Sequence, residues 1–296
     1  MFFFKKVAKD SFPVPILFNV FNRPDQTKRV FGVIRKVRPK YLFLKADGPR
    51  ESIQGDRERC RQVRDIISRV DWDCEVQTLF FDQNLGCRDA MSRGIDWFFS
   101  KVDEGIILED DCLPDFSFFN FCQQLLERYR HDERVMMISG DSFLFGRKKF
   151  EASYHFSKYA LIWGWATWSR AWSHYDVEMA TFPQFRDERL ISNIIDHPKE
   201  QDLWMYHLQK VFDNEINTWD YQWTYALFNR RGLSVTPNVN LITNIGFNRD
   251  ATHTLNKRDR LANLKRGRIE QIVHPVEVSL DEDADRLTID NIYHFG

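Results

Sequence analysis

Three adjacent carboxylates, Glu109-Asp110-Asp111, follow the apolar run Gly105-Ile106-Ile107-Leu108. Three neighbouring negative charges repel one another and need a compensating cation. A hard divalent ion with oxygen ligands, Mg²⁺ or Mn²⁺, suits such a set. A nucleoside diphosphate leaving group is itself strongly anionic. An ion bridging it to the carboxylates would reverse the repulsion and act as a Lewis acid on the departing phosphate. Asp111 is expected to hold the ion directly, with Glu109 and Asp110 on ribose or sugar hydroxyls. A solvated acidic turn is the bland alternative. A second concentration of usable side chains is Trp163, Trp165 and Trp168, with Gly164 between the first two. Flat aromatic faces there suit stacking on an acceptor sugar, and core packing claims at least one of them.

The elements that must position these residues alternate along the first half. Apolar runs predict strands over Pro15–Phe21, Tyr41–Ala46, Glu75–Phe81, Gly105–Leu108 and Val135–Ser139. Helical spacing predicts helices over Pro24–Arg38, Arg57–Val70, Cys87–Phe99 and Pro114–Arg130. This series predicts an α/β fold with a mostly parallel central sheet flanked by helices. Ligands of such sheets bind beyond the carboxyl ends of the strands. Asn22, Arg23, Asp47 and the acidic triplet all fall at such ends. The second half reads as less regular. Strands are expected over Tyr154–Tyr159 and Leu233–Val239, and helices over Leu190–Ile195, Gln201–Phe212 and Tyr221–Arg230. After Thr254 the basic stretch 257–268 and the acidic stretch 281–285 read as a solvated tail. The expected organisation is one domain over 1–254, in two halves that meet at about 140, the second irregular. An extension over 255–296 follows.

Composition narrows the classes. The chain has 296 residues, 43% hydrophobic and 29% charged, which excludes disordered and coiled-coil classes. A net charge of −1 provides no field for nucleic acid. No run is long enough to span a membrane, and the start, Met1–Lys6, is too short for a signal peptide. Phe2–Phe4 leave room for peripheral membrane contact. Five cysteines without paired spacing read as free thiols of a cytoplasmic protein.

Taken in order, several short stretches carry a resemblance. They are Asn22-Arg23-Pro24, Asp47-Gly48, Asn84-Leu85-Gly86, Ile107-Leu108-Glu109-Asp110-Asp111 with Pro114-Asp115-Phe116, Trp163 to Trp168, Trp219-Asp220-Tyr221-Gln222-Trp223, and Asn244 to Thr254. The acidic triplet resembles the Glu-Asp-Asp form of the DxD motif in GT-A nucleotide-diphospho-sugar transferases. That form occurs in the N-acetylglucosaminyltransferases that start complex N-glycans. Over Val14 to Thr254 the chain is similar to a bacterial GT-A group labelled hemolytic protein HlpA-like.

The resemblance implies a metal-dependent glycosyltransferase using a nucleotide-sugar donor, most readily a UDP-sugar, and a glycan or other hydroxyl acceptor, with inversion. It places Asn22 and Arg23 at the nucleotide and Asp47 at the base. Arg88 falls at the nucleotide or diphosphate, and His253 with Asp111 at the metal. Asp220 is implied as the general base, and Trp219 joins Trp163 and Trp165 on the acceptor side. The Trp-Asp-Tyr-Gln-Trp register differs from the related Trp-Asp-Asp-Trp, which weakens the Asp220 assignment. A nucleotidyltransferase would show a glycine-rich phosphate loop near the first strand, and Asn22-Arg23-Pro24 stands there instead. A carbohydrate-binding protein would explain the tryptophans but not the acidic triplet.

Overall fold

A computed structural model of the chain describes residues 11–247, 260–262 and 264–293. The first half follows the expected alternation. β1 (Ile16–Val20), β2 (Tyr41–Ala46), β3 (Glu75–Phe80) and β4 (Glu104–Glu109) are joined by α1 (Pro24–Val37), α2 (Asp56–Ile67) and α3 (Gly86–Phe99). Pro24 opens α1, where a missing N–H costs nothing, and Arg38 closes it in the left-handed region with its N–H on the Ile34 carbonyl. After β4 come a short strand, β5 (Cys112–Pro114), then α4 (Phe116–Tyr129) and β6 (Val135–Ser139). α4 starts two residues later than expected because Asp115 caps it, accepting from the Ser117 N–H at 2.9 Å. Pro114 is thereby left to β5.

The second half holds more strand than the sequence reading supplied. β7 (Tyr154–Ser157) and β8 (Trp165–Trp168) precede three helices, α5 (Ser169–Trp172), α6 (Phe182–Asp187) and α7 (Pro198–Phe212). Leu190–Asn193 is a 3₁₀ turn rather than an α-helix. α8 (Asp220–Arg230), β9 (Leu233–Pro237), β10 (Ile242–Asn244) and α9 (Glu282–Tyr293) complete the chain.

One eight-stranded sheet runs β3-β2-β1-β4-β8-β6-β9-β7, and β10 pairs with β5 in a two-stranded ribbon. β3, β2, β1 and β4 are mutually parallel, and β8 is antiparallel to both β4 and β6. The mostly parallel sheet thus stands. The expected βα series is interrupted, because β8 inserts between β4 and β6. β8 was not foreseen because both of its faces are buried. Ala166 and Trp168 enter the core beside α4, and Trp165 enters the core beside α3, so no polar alternation marks it. Gly164, with φ +74, makes that entry possible: a Cβ there would stand 2.7 Å from Ile242 Cδ1. All five cysteines are free. Among the described residues no helix is long and apolar enough to cross a membrane.

The stretch read as a solvated acidic tail contains α9, docked on the domain. Ile289 enters the cluster of Tyr159, Trp204 and Phe228. Asp285 is 1% exposed and accepts from Ser157 Oγ at 2.5 Å and from the Lys158 N–H at 3.1 Å. Asn291 donates to the Phe143 carbonyl at 2.7 Å. The acids of the first turn, Glu282, Asp283 and Asp285, suit the positive end of the helix dipole. Removing Asp285 strands buried donors. Asp285→Ala should therefore lower unfolding free energy by about 1–3 kcal/mol, measured by urea denaturation; an unchanged midpoint would mean that α9 contributes nothing to the domain.

Candidate functional site

The strand order turns back at β1, between β2 and β4, which is where an open parallel sheet leaves a crevice at its carboxyl edge. A cavity of ≈ 300 Å³ occupies that place. Arg23, Asp47, Glu109 and Asp110, expected from the sequence, line it together with Asn19 and Lys45, which were not. Residues from the start of α3 and Asn217 form another wall. A larger cavity, ≈ 570 Å³, lies between α7 and α9 beside Lys158, His197 and Arg286, and none of the expected site residues borders it.

Electrostatics dominate the crevice. Arg23 Nη1 lies 3.1 Å from Asp110 Oδ1 and 2.6 Å from Asp111 Oδ2. Asp110 also accepts from the Phe21 N–H at 3.1 Å. Burial opposes the Arg23 charge, but Asp110, Asp111 and Glu109 outweigh it and raise its pKa. Among the described residues Glu109 receives no such partner. Burial first, then Asp111 and Asp110, push its carboxyl well above the ordinary range. Burial likewise raises Asp110 against the pull of Arg23. The Lys45 ammonium is drawn down by burial.

Asp111, expected as the direct metal ligand, sits beside the cavity rather than on it. Its carboxylate faces Arg23 and the Gly246 backbone, where an added Cβ would stand 2.1 Å from Oδ2. Its expected partner, His253, lies outside the described residues. Among the described residues no three His, Cys, Asp or Glu side chains converge on one point. Three carboxylates, Asp47, Glu109 and Asp110, and three cations, Arg23, Lys45 and Arg50, line the cavity, and Glu109 and Asp110 offer hard oxygen donors to it. Those two oxygen donors would suit a hard divalent cation, whose other ligands would have to come from elsewhere.

Several expected contacts turn out to build the walls instead. Asn22 is buried and donates to Asp56, which is fully enclosed and also receives Arg50 Nε at 2.9 Å and Arg59 Nη2 at 2.9 Å. Asn22 thus steadies Arg50, whose guanidinium lies over the Phe21 ring at the cavity edge. Asp47 borders the cavity but spends its oxygens on loops. It accepts from the Gly48 N–H at 2.8 Å, the Leu85 N–H at 3.0 Å and Asn84 Nδ2 at 2.8 Å. Asp-Gly and Asn-Leu-Gly are therefore two halves of one clasp between the β2 and β3 ends. Arg88 is a correction. Its side chain leaves the crevice for Asp89, at 2.9 Å, and Asn214, while its N–H holds Asn217 Oδ1 at 3.0 Å.

Trp165 and Trp219 are also corrected. They are 0% and 2% exposed and stack on each other at 5.6 Å, with Trp172 and Trp223 against them. No face remains for an acceptor. Their effect is positional, since the Trp165–Trp219 stack fixes α8 to β8 and sets where Asp220 emerges. Asp220 stands in the first turn of α8, with Trp219 at the cap position, and accepts from Thr218 Oγ1. Asp220 does not line the cavity, but its charge acts on Glu109 and Cys87, which do. Trp163 stays half-buried at the surface, edge-on to Phe143 and Phe247, with its N–H on Asp141 at 2.8 Å.

No protein-family model and no curated protein matches the chain. Among solved structures, mouse xyloside xylosyltransferase 1 in its apo form aligns over 74% of this chain and 82% of its own, at 9% identity and a TM-score of 0.37. HddC from Yersinia pseudotuberculosis aligns over 53% of this chain and 77% of its own, at 6% identity and a TM-score of 0.33.

The buried stack makes its own prediction. Trp219→Ala should cost about 3–5 kcal/mol of stability by chemical denaturation. A tryptophan that merely faced an acceptor would leave stability unchanged.

Proposed function

We propose that the chain is a glycosyltransferase of GT-A type that takes a nucleotide-diphospho-sugar donor. One observation carries the reading: a single crevice at the β1–β4 turn-back gathers Arg23, Lys45, Glu109 and Asp110 from the ends of three strands. Opposed cations and carboxylates in one small cavity suit a ligand that is both anionic and rich in hydroxyls. Arg23 would face the departing diphosphate. A divalent cation, Mn²⁺ or Mg²⁺, would be held by Glu109 and Asp110. Asp111 joins that set only by giving up Arg23. When bound, the ion supplies charge stabilisation of the leaving phosphate.

Asp220 serves as general base. The acceptor hydroxyl loses its proton to the Asp220 carboxylate as its oxygen bonds the anomeric carbon. The bond from that carbon to the phosphate oxygen breaks, and the configuration inverts. Trp163, the one of the three acceptor-side tryptophans that retains surface, lies on the acceptor side. The acceptor is a glycan or another hydroxyl compound, and bacterial surface polysaccharide synthesis is the setting that the sequence resemblance suggests.

A panel of nucleotide sugars, assayed for nucleoside diphosphate release with and without Mn²⁺, tests the reading. Release of diphosphate from one donor supports it. Release of pyrophosphate from a nucleoside triphosphate and a sugar phosphate would replace it with nucleotidyl transfer.

Asp220→Asn separates chemistry from binding. Turnover should fall about 10²–10⁴-fold, while donor affinity by calorimetry and the melting temperature stay near wild type. Near-normal turnover would remove Asp220 from the mechanism.

A further inference from the structure

Lys45, Asn19 and Glu109 stand in register on β2, β1 and β4. Two residues before each, Phe43, Leu17 and Ile107 lie in the core beneath α3. Side chains on a strand repeat every second residue, so the three polar groups share that face. All three border the cavity. They form a row of ammonium, amide and carboxyl across three strands about 4.8 Å apart.

The row lacks partners of its own. Asn19 is 3% exposed, and neither its Oδ1 nor its Nδ2 has a hydrogen-bond partner among the described residues. Lys45 is 2% exposed and forms no ion pair or hydrogen bond among the described residues, its ammonium lying 6.0 Å from the Phe81 ring centre. The Glu109 carboxyl accepts no hydrogen bond among the described residues. Folded proteins satisfy nearly all buried polar groups, so a buried amide with both ends unmade asks for a ligand. α3 closes the row from its other side. A Cβ on Gly94 would stand 3.2 Å from Asn19 Oδ1 and 3.1 Å from Lys45 Cγ. The helix backbone therefore confines these side chains and leaves the cavity as their open direction.

The order of groups has a chemical meaning. Glu109 accepts, Asn19 both donates and accepts, and Lys45 donates. Two neighbouring hydroxyls, each of which donates once and accepts, complement that order. One donates to Glu109 and accepts from Asn19 Nδ2. The next donates to Asn19 Oδ1 and accepts from Lys45 Nζ. We propose that Asn19 and Lys45, with Glu109, read two adjacent hydroxyls of the transferred sugar and so determine which sugar the enzyme accepts. This rests on the nucleotide-sugar reading above. It adds Asn19 and Lys45, which lie outside the acidic triplet and the Asp-Gly turn, to Glu109 as determinants of specificity.

Calorimetry with UDP, UDP-glucose, UDP-galactose, UDP-N-acetylglucosamine, GDP and GDP-mannose tests it on wild type, Asn19→Leu and Lys45→Met. Wild type should bind one nucleotide sugar more tightly than both its nucleoside diphosphate and the sugar epimer. Asn19→Leu should hold the nucleoside diphosphate within about twofold, yet lose about tenfold or more on the sugar and stop distinguishing epimers. Its melting temperature should hold or rise, because an unpartnered amide gives way to an apolar side chain. Lys45→Met should show the same division between nucleotide and sugar. Persisting epimer discrimination in Asn19→Leu would overturn the assignment. So would a lowered melting temperature with equal loss of nucleotide and nucleotide sugar, which would make Asn19 structural. Wild type that binds none of the six ligands would overturn the nucleotide-sugar reading and the row with it. Wild type that binds a nucleoside diphosphate with no gain from any sugar would overturn the row alone.

Discussion

The Arg23 guanidinium, set between Asp110 and Asp111, is the contact around which the crevice is organised. Three carboxylates following one buried strand could not persist there without a cation, since each raises the cost of ionising the others. Arg23 answers two of them and leaves Glu109 facing the cavity. It can do so because Pro24 starts α1 at once, so the residue before the helix is held at the β1 end. Burial of such a pair is weak support for stability, since desolvation consumes much of the Coulomb gain. Its place at a ligand-sized cavity is better explained by use than by stability.

A second level of organisation holds the walls. Asp56 collects Asn22, Arg50 and Arg59, and Asp47 clasps the Asn84-Leu85 turn. Asn217 accepts from the Arg88 N–H at the α3 start from the loop before α8, tying the later half of the chain to that wall of the cavity. Asn22 and Asp47, expected to touch ligand, thus hold the side chains and turns around the cavity. Such support is what holds a site to the tolerances that chemistry requires.

The first half of the fold was legible because β1, β2 and β4, buried on both faces, are apolar runs, and Pro24, Gly48-Pro49 and Gly86 punctuate the series; β3, at the sheet edge, is largely exposed. The later half was harder for the same physical reason read backwards. Trp165–Trp168 is buried on both faces but short, and its bulky aromatics resemble a binding cluster as much as a strand. α9 was missed because its acidic first turn looks solvated, whereas Asp285 is turned inward onto Ser157. Asn19 and Lys45 did carry a signal. Each is a polar residue one place from the end of an otherwise apolar strand, Ile-Leu-Phe-Asn-Val and Tyr-Leu-Phe-Leu-Lys-Ala. A buried strand does not carry such a residue for packing, so each marks the strand end that meets the cavity.

Charge balance decides what the cavity can admit. Around it stand Glu109, Asp110 and Asp47, with Asp111 and Asp220 close by, against Arg23, Arg50 and Lys45. Arg50 is committed to Asp56, and Arg23 to Asp110 and Asp111. Lys45 alone cannot neutralise a diphosphate. A doubly anionic group therefore enters only if it brings positive charge with it, or if Arg23 turns from the carboxylates to the phosphates. These two routes are linked. In the proposed reading, a cation held by Asp110 would compete with Arg23 for the same carboxylates and so leave the guanidinium for the phosphate. Asp110, Asp111 and Arg23 are thus one linked set of charges, in which anything that binds the two carboxylates competes with the guanidinium.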